Sequence, residues 1–578
     1  MMTVVLAVLG TAVLGLGLGV WMDRALLVRS PGIERVFSPV EGLLLRVIGA
    51  DGRAPMGWRA WARALLVSNG VLAVVLYGIF LGQGGLPLNP DAVPGMSWDL
   101  ALHTAASFVT NTNQQHYSGQ AQLSHFAQLA GVTAAQVLTP AVGLACLLAA
   151  LRGLRGGESV GDAVRRDAVG DVDLGNHWGD VLRAVTRVLL PLATVWALLL
   201  AAEGVPTALR AAAVAVPLDA SAGVAEQVLP RGPMAPMVAI KQLGTNGGGW
   251  YGPNSAAPFE NPTPLSNLLQ LVAILLVPVG CAVMAGRALG RGVGRLTLVS
   301  MAVVALGLGA TVVLLEQGAN PAFDGFAAAG PNWEGKELRN GVESSALWAA
   351  YTTMTSNGSV NAMHDSLLPL SGLVPLAGMF VNAAFGGVGV GWLNFLLYSL
   401  VAVFVGGLLI GRAPAFLDRK LEVGEVRLVA VAVLLPALTV LVPSALTLSL
   451  PGGAGMSNPG PHGISQVIYE YASASANNGS GFEGLADNTP WWNVSTAIVL
   501  ILSRFIPILV PLAVAGLLAA KRPAPPSAAA VPLGSPAMIL TVLAVIVVLQ
   551  LLTWVPAMVL GPVAEHLVAV PALVAGAR

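Results

Sequence analysis

Charge is scarce in this 578-residue chain: Asp, Glu, Lys and Arg together make up 10% of it, against roughly 25% in an ordinary soluble domain. Lysine is confined to Lys241, Lys336, Lys420 and Lys521, and the formal charges cancel. With a net charge of zero, bulk electrostatics points to no nucleic-acid partner. Only two cysteines occur, Cys146 and Cys281, both inside apolar runs, which excludes a disulfide framework and a cysteine metal site. Seven histidines (His103, His116, His125, His177, His364, His462 and His566) show no HExxH-type spacing, so no metal role is assigned to them. There is also no GxxxxGK[ST] phosphate loop, no Asp-Lys-Thr-Gly phosphorylation sequence and no large polar domain. Neither an ATP site nor an organic cofactor is expected on this chain.

What the chain has instead is apolar length. Hydrophobic residues make up 55% of it, with a mean hydropathy of +0.75, gathered into runs of the ~20 residues that a helix needs to cross a bilayer. An all-α membrane protein follows. Ten spans are expected near 3–23, 64–83, 127–151, 182–202, 265–286, 296–316, 371–411, 427–449, 493–519 and 537–560. The first, with no basic residue before it, reads as a retained anchor. The seventh is too long for one straight crossing and carries Phe385-Gly-Gly-Val-Gly-Val-Gly391 in its middle. Gly386, Gly387 and Gly389 would break a helix there, and irregular backbone at that depth survives only inside protein or around a hydrated cavity. A gate or constriction is the expectation. Alternating the loops puts 22 of the 29 basic residues on one side, six on the other and Arg504 within a span. The rich side is cytoplasmic by the positive-inside rule, so both termini face outward.

Four outward loops share an order of elements: a helix-length stretch too short to span, a few Asn, Thr, Ser or Gly residues, a polar segment and another span. The helical stretches are 98–110, 234–243, 342–355 and 464–476, leading into Asn111-Thr-Asn-Gln-Gln115, Gly244-Thr-Asn-Gly-Gly-Gly249, Ser356-Asn-Gly-Ser359 and Asn477-Asn-Gly-Ser480. With Asn111, Asn246, Asn357 and Asn478 as markers, the intervals are 135, 111 and 121 residues. The chain therefore divides into a first span and inner loop (1–63), four repeats (64–151, 182–286, 296–411, 427–519) and a last span (537–578). A half-length helix of about 13 residues reaches roughly 20 Å, entering the membrane without crossing it. Its carboxyl end favours a cation. Four following segments around one axis can replace a potassium ion's hydration shell with carbonyl oxygens. Any one such cluster is ordinarily a turn; the fourfold recurrence is the signal.

At these residues the sequence closely resembles the potassium-binding subunit of Kdp-type potassium-transporting ATPases. The resemblance runs through Ser107-Phe-Val-Thr-Asn-Thr-Asn113, Leu243-Gly-Thr-Asn-Gly-Gly-Gly249, Pro258-Phe-Glu-Asn-Pro-Thr263, Ala362-Met-His-Asp-Ser366, Phe385-Gly-Gly-Val-Gly389, Asn458-Pro-Gly-Pro-His-Gly463, Asn477-Asn-Gly-Ser480 and Leu560-Gly-Pro-Val-Ala-Glu565, nearly the whole chain. It implies a ten-span fold related to the Trk, Ktr and HKT potassium transporters. It also implies a bacterial inner-membrane complex with a P-type ATPase subunit that hydrolyses ATP, a single-span accessory subunit and a small peptide subunit. The ion-coordinating residues it implies are Asn111, Thr112, Asn113, Thr245, Asn246, Gly247, Asn357, Gly358, Asn477, Asn478 and Gly479, with Gln115 near the filter and on the route toward the ATPase subunit. Two segments depart from the family pattern: Asn113-Gln-Gln115, where some members have an aromatic in the middle, and Ser356-Asn-Gly358.

Arg504, in Leu500-Ile-Leu-Ser-Arg-Phe-Ile-Pro507, is an intramembrane charge that should face a cavity or a partner. It reads as an electrostatic barrier below the filter, or as a partner for carbonyls freed by Pro507 and Pro511. Arg412, with Asp418, Arg419 and Lys420, closes the seventh span as a topology signal or a contact for the ATPase partner. Glu260, Asp365, Glu470 and Glu483 lie near the outer mouth, most of them expected to accept hydrogen bonds from loop backbone. A stand-alone Trk-class potassium transporter is the alternative function. A membrane enzyme or assembly factor would need an in-membrane catalytic set, which is not found.

Overall fold

The computed structural model describes residues 2–157, 159–160, 163–219, 221, 223–320, 330–409, 411, 413–450, 455–523 and 531–568. Among them, ten helices are long and apolar enough to cross a membrane: Met2–Leu27, Trp58–Gly85, Ala127–Arg155, His177–Ala202, Pro264–Leu289, Arg291–Leu315, Val390–Leu409, Val423–Leu448, Pro490–Ala519 and Pro536–Val568. All ten expected spans are present. Most extend beyond the apolar run by a turn or more, because a helix continues past the hydrocarbon once its start is capped. The fifth shows how: Thr263 and Ser266 form a reciprocal capping box and Pro264 opens the helix, so the first free N–H groups are satisfied.

The third, fifth and ninth spans form the centre and the others surround them. The first span packs on the fifth through a strip of small residues, Ala7, Thr11, Gly15 and Gly19, buried at every fourth position. A Cβ on Gly15 would stand 2.6 Å from Val279, and one on Gly19 2.5 Å from Val283. Close approach through small residues is how helices gain dispersion contact in lipid, where no hydrophobic effect drives them together. The outward faces carry Val, Leu and Ile left exposed by the protein itself, such as Val13, Val74, Leu198 and Leu552.

The seventh region is interrupted as expected. A helix over Pro369–Val381 ends at Asn382 in the left-handed conformation, and the next begins at Val390. Phe385, Gly386 and Gly389 between them also have positive φ.

An additional helix, Pro31–Val47, lies between the first two spans, where a search for apolar runs finds only a basic loop. Its apolar residues fall on one face. Its other face is held by the buried Arg187 guanidinium of the fourth span, which donates to both carboxylate oxygens of Glu41 and to Glu34. That pairing holds the Glu34 carboxyl down to about 2, against the opposing effect of its burial. Arg412 lies outside the described residues. Of its neighbours, Arg419 donates to the Leu154 carbonyl at the end of the third span.

Candidate functional site

Four short helices stand at the centre: Trp98–Val109, Met234–Leu243, Val342–Met354 and Pro461–Ser475. Each ends in the same way. The N–H of Thr112, Asn246, Asn357 and Asn478 donates to the carbonyl five residues back, of Ser107, Lys241, Thr352 and Ser473 respectively. The residue just before each, Asn111, Thr245, Ser356 and Asn477, has φ between 50° and 64°. This is the Schellman ending, in which a left-handed residue lets the chain turn back over the last carbonyls. Glycine usually fills that position. Here Asn, Thr and Ser do, and a β-branched Thr245 at φ 50° is a strained choice that the surroundings must hold. A second left-handed residue follows two positions later: Asn113, Gly247, Gly358 and Gly479.

These equivalences correct the marker alignment by one residue in the first repeat. Thr112, not Asn111, corresponds to Asn246, Asn357 and Asn478, and Asn113 stands where the other repeats have glycine. Asparagine is the residue that best tolerates a left-handed backbone after glycine. Ser356 enters the set as the equivalent of Asn111.

The four segments meet in cyclic order. A Cβ on Gly247 would lie 1.9 Å from the Asn357 carbonyl oxygen, one on Gly358 2.0 Å from that of Asn478, and one on Gly479 2.3 Å from that of Thr112. The seam between segments one and two closes the circle. There Asn111 Nδ2 donates to the Thr245 carbonyl at 3.0 Å, and a Cβ on Gly248 would be 2.7 Å from that of Asn113. Side chains tie segments three and four to the end of the preceding short helix: Asn357 Nδ2 to the Lys241 carbonyl at 3.1 Å, Asn478 Nδ2 to that of Thr352 at 2.8 Å. Asn477 Nδ2 reaches Thr112 Oγ1 at 3.1 Å. Gln136 of the third span, absent from the sequence reading, donates to both Asn113 Oδ1 and the Gly248 carbonyl. Asn111, Thr112, Asn113, Thr245, Asn246, Asn357, Asn477 and Asn478 are all buried.

Beneath this ring lies the break in the seventh region. Val388 N–H donates to Thr245 Oγ1 at 3.1 Å, and Ser356 Oγ to Asn382 Oδ1 at 2.6 Å. Asn382 Nδ2 donates to the Ala476 carbonyl at 3.0 Å. The broken span thus touches segments two, three and four, and a Cβ on Gly387 would be 3.5 Å from both Ser356 and Thr245. Gly386 and Gly391 meet back to back, and Gly389 presses on the Gly143 carbonyl of the third span. A cavity of about 70 Å³ opens here, lined by Asn382, Gly387, Asn477, Ser503, Arg504 and Trp554 among others. Arg504 faces it, with no hydrogen bond or ion pair among the described residues.

The family model described as the potassium-transporting ATPase A subunit matches residues 3–567. The chain is also similar to a protein named potassium-transporting ATPase potassium-binding subunit from Gloeobacter violaceus, 43% identical over 557 residues, covering 95% of this chain and 94% of the relative. The chain belongs to the potassium-transporting ATPase A subunit family.

In this member of the A subunit family, Gln115 lies beside the ring. It exchanges two hydrogen bonds with Gly249, Nε2 to the carbonyl at 3.1 Å and Oε1 from the N–H at 2.9 Å. It lines a pocket of about 170 Å³ together with Gly358, Gly479 and Asp487. Of the four carboxylates expected near the outer mouth, Glu260 and Glu483 accept backbone N–H groups, from Tyr251 and from His364 and Asp365. Asp365 and Glu470 instead pair with His462 and His116. Burial pushes the Glu483 carboxyl up to about 8.

Although no histidine spacing suggests a metal, folding brings one ligand atom each of His116, Glu470 and Asp487 within 4.8 Å. The geometry there is that of an ion-pair network. Asn493 Nδ2 donates to Asp99 and Asn488, so its Oδ1 accepts from His116 Nδ1, while His116 Nε2 donates to Glu470 at 3.0 Å. A ring donating from both nitrogens is an imidazolium. Burial alone would lower the His116 pKa, but the Asp487 and Glu470 carboxylates raise it to about 9.

Proposed function

We propose that this chain is the non-catalytic, potassium-binding subunit of an ATP-driven potassium importer in a bacterial inner membrane. In this reading the ring of helix ends strips water from an extracellular potassium ion and holds it by backbone and side-chain oxygens. Its parts are Asn111–Asn113, Thr245–Gly247, Ser356–Gly358 and Asn477–Gly479. The single observation that carries the reading is the fourfold recurrence of one helix ending, closed into a circle. Backbone carbonyls arranged this way select a monovalent cation by replacing its hydration shell, and the negative ends of four helices lower the ion's energy at the centre.

The same reading extends along the pathway. Gln115 faces the outer entry. Gly386, Gly387 and Gly389 form a constriction under the ring, and Arg504 repels cations from below it, so an ion advances only when the complex drives it. The chain is organised as four repeats of span, short helix, filter and span, with the fold of the Trk, Ktr and HKT transporters and with both termini outside. ATP hydrolysis belongs to a P-type ATPase subunit. A single-span subunit and a small peptide complete the assembly, and the Arg412 region contacts the ATPase subunit. The stand-alone transporter is not favoured, because the family and the relative are both named for an ATPase.

The test is potassium-stimulated ATP hydrolysis by the affinity-purified complex. Gly358→Ala should raise the KM for potassium by about tenfold or more. An unchanged KM in a correctly assembled complex would remove the ring from the ion's path.

A further inference from the structure

Lys241 is the only charged member of the quartet of residues whose carbonyls receive the turning chain; its equivalents are Ser107, Thr352 and Ser473. It is fully buried, as is its partner Glu260, and the fold brings a third group to the pair. Lys241 Nζ donates to Glu260 Oε2 and to Asn254 Oδ1. The other end of the Asn254 amide, Nδ2, donates to the carbonyl oxygen of Gly247 at 2.6 Å. Glu260 is itself fixed, its Oε1 accepting from Tyr251 N–H at 2.8 Å and its backbone carbonyl from Gln270 at 3.0 Å. Among the described residues no side chain donates in this way to the carbonyl of Asn113, Gly358 or Gly479. Of these four carbonyls, Gly247 alone receives a bond from a side chain held by a buried ion pair.

Two physical consequences follow. An ammonium buried behind a segment that gathers oxygens for a cation opposes that cation unless a carboxylate neutralises it, since at protein-like dielectric a unit charge is felt over many ångströms. Glu260 supplies the neutralisation. The ammonium also polarises the Asn254 amide through its oxygen, which strengthens the hydrogen bond its nitrogen gives, and so holds the Gly247 carbonyl at one orientation. Asn254 keeps φ at +59° to reach both partners, a backbone cost tolerated where the surroundings enforce it.

We infer that Lys241, Glu260 and Asn254 form a charge-balanced relay that orients the Gly247 carbonyl and thereby sets how well the ring distinguishes potassium from cations of other size. Lys241 and Glu260 are positioning residues. This inference rests on the reading of the ring as the ion site, deepening it from a symmetrical fourfold ring to one with a specialised second segment.

The experiment compares potassium- and rubidium-stimulated ATP hydrolysis by the purified complex carrying Glu260→Gln, Lys241→Met/Glu260→Gln, Asn254→Ala or Gly358→Ala. Glu260→Gln leaves the ammonium uncompensated and should raise the KM for potassium on the order of tenfold. The double variant restores neutrality, and its KM should return to within about threefold of the wild type. Its potassium-to-rubidium preference should stay altered, because Asn254 has lost its polarising partner. A merely structural pair would behave in the opposite way, with the double variant no better than the single. Asn254→Ala keeps the ion pair and removes only the anchor; it should change the ion preference by about threefold or more, and it decides the matter if Glu260→Gln does not assemble. The relay is overturned if Asn254→Ala leaves the preference untouched, or if the double variant is as weak as Glu260→Gln. Gly358→Ala, on segment three, separates the two levels. If it raises KM while the relay variants do not, only the relay falls; if it also has no effect, the ring itself is not the site.

Discussion

At the scale of single residues, the glycines of segments two, three and four are demanded by space as much as by backbone angle. At Gly358 a methyl group would lie 2.0 Å from the Asn478 carbonyl oxygen, far inside contact distance, and φ is +82°, where a side chain is strained. Gly307 on the sixth span has nothing within 4 Å of its would-be Cβ. Gly307→Ala should therefore leave potassium-stimulated hydrolysis unchanged where Gly358→Ala raises the KM, and that contrast ties the loss to the ring rather than to glycine in general. The glycines were legible in the sequence. The residues one step before the asparagines were less so, because a left-handed helix end is usually read from glycine, and Ser356 and Thr245 occupy it with side chains. Lys241 was legible as part of its short helix, but its burial against Glu260 was not, because the partner lies beyond that helix.

His116 gives a pH dependence at the same scale. Its ring is sealed between Asn493 and Glu470, with Asp487 close by and His103 stacked on it at 3.6 Å. Its pKa is raised from 6.5 to about 9. A basic group with a raised native pKa contributes its full stabilisation below the unfolded value and loses it as pH climbs through the native one. The contribution of His116 to stability should be level up to about pH 6.5 and fall toward pH 9, by on the order of 2–3 kcal/mol. Thermal unfolding of the complex across that range, with His116→Gln flattening the profile, is the measurement.

At the scale of elements, the order of span, short helix and polar segment could be read because each feature is local: length, hydropathy and a cluster of turn residues. The structure's short helices begin and end within a few residues of those expected. The Pro31–Val47 helix was missed, since its apolar residues are spread over one face and never form a run. The break in the seventh region was legible from Gly386, Gly387 and Gly389, but its contacts were not. Asn382, an ordinary polar residue in the sequence, stops one helix and bonds both Ser356 and Ala476. This element supports a prediction about turnover. A methyl at Gly389 would stand 2.2 Å from the Gly143 carbonyl, at φ +76°, and would push the break away from the third span while leaving the ring's own seams intact. Gly389→Ala should lower the maximal rate of potassium-stimulated hydrolysis at least fivefold, roughly 1 kcal/mol, with a smaller effect on KM. A change confined to KM would place the break outside the translocation route.

At the scale of the whole molecule, closure depends on contacts that no local pattern announces. Neighbours in the ring are more than a hundred residues apart, and segments four and one meet from opposite ends of the chain. His462 supplies a second long-range closure. At the start of the fourth short helix it bonds Asp365, after segment three, at 2.7 Å and Glu565, near the end of the last span, at 2.9 Å. Burial works against its charge, but hydrogen bonds to these two carboxylates raise its pKa to about 10. The imidazolium thus pins the tenth span to the fourth short helix and to the chain after segment three. Hydrogen bonds to charged groups contribute about 1.5–3 kcal/mol each, so His462→Ala should cost roughly 2 kcal/mol in the thermal stability of the complex. It touches no residue of the ring, and the KM for potassium should stay within about twofold of the wild type. A lowered melting temperature with unchanged KM is the expected outcome. A KM that rises with it would mean that the last span, through this clamp, helps to set the geometry of the four segments.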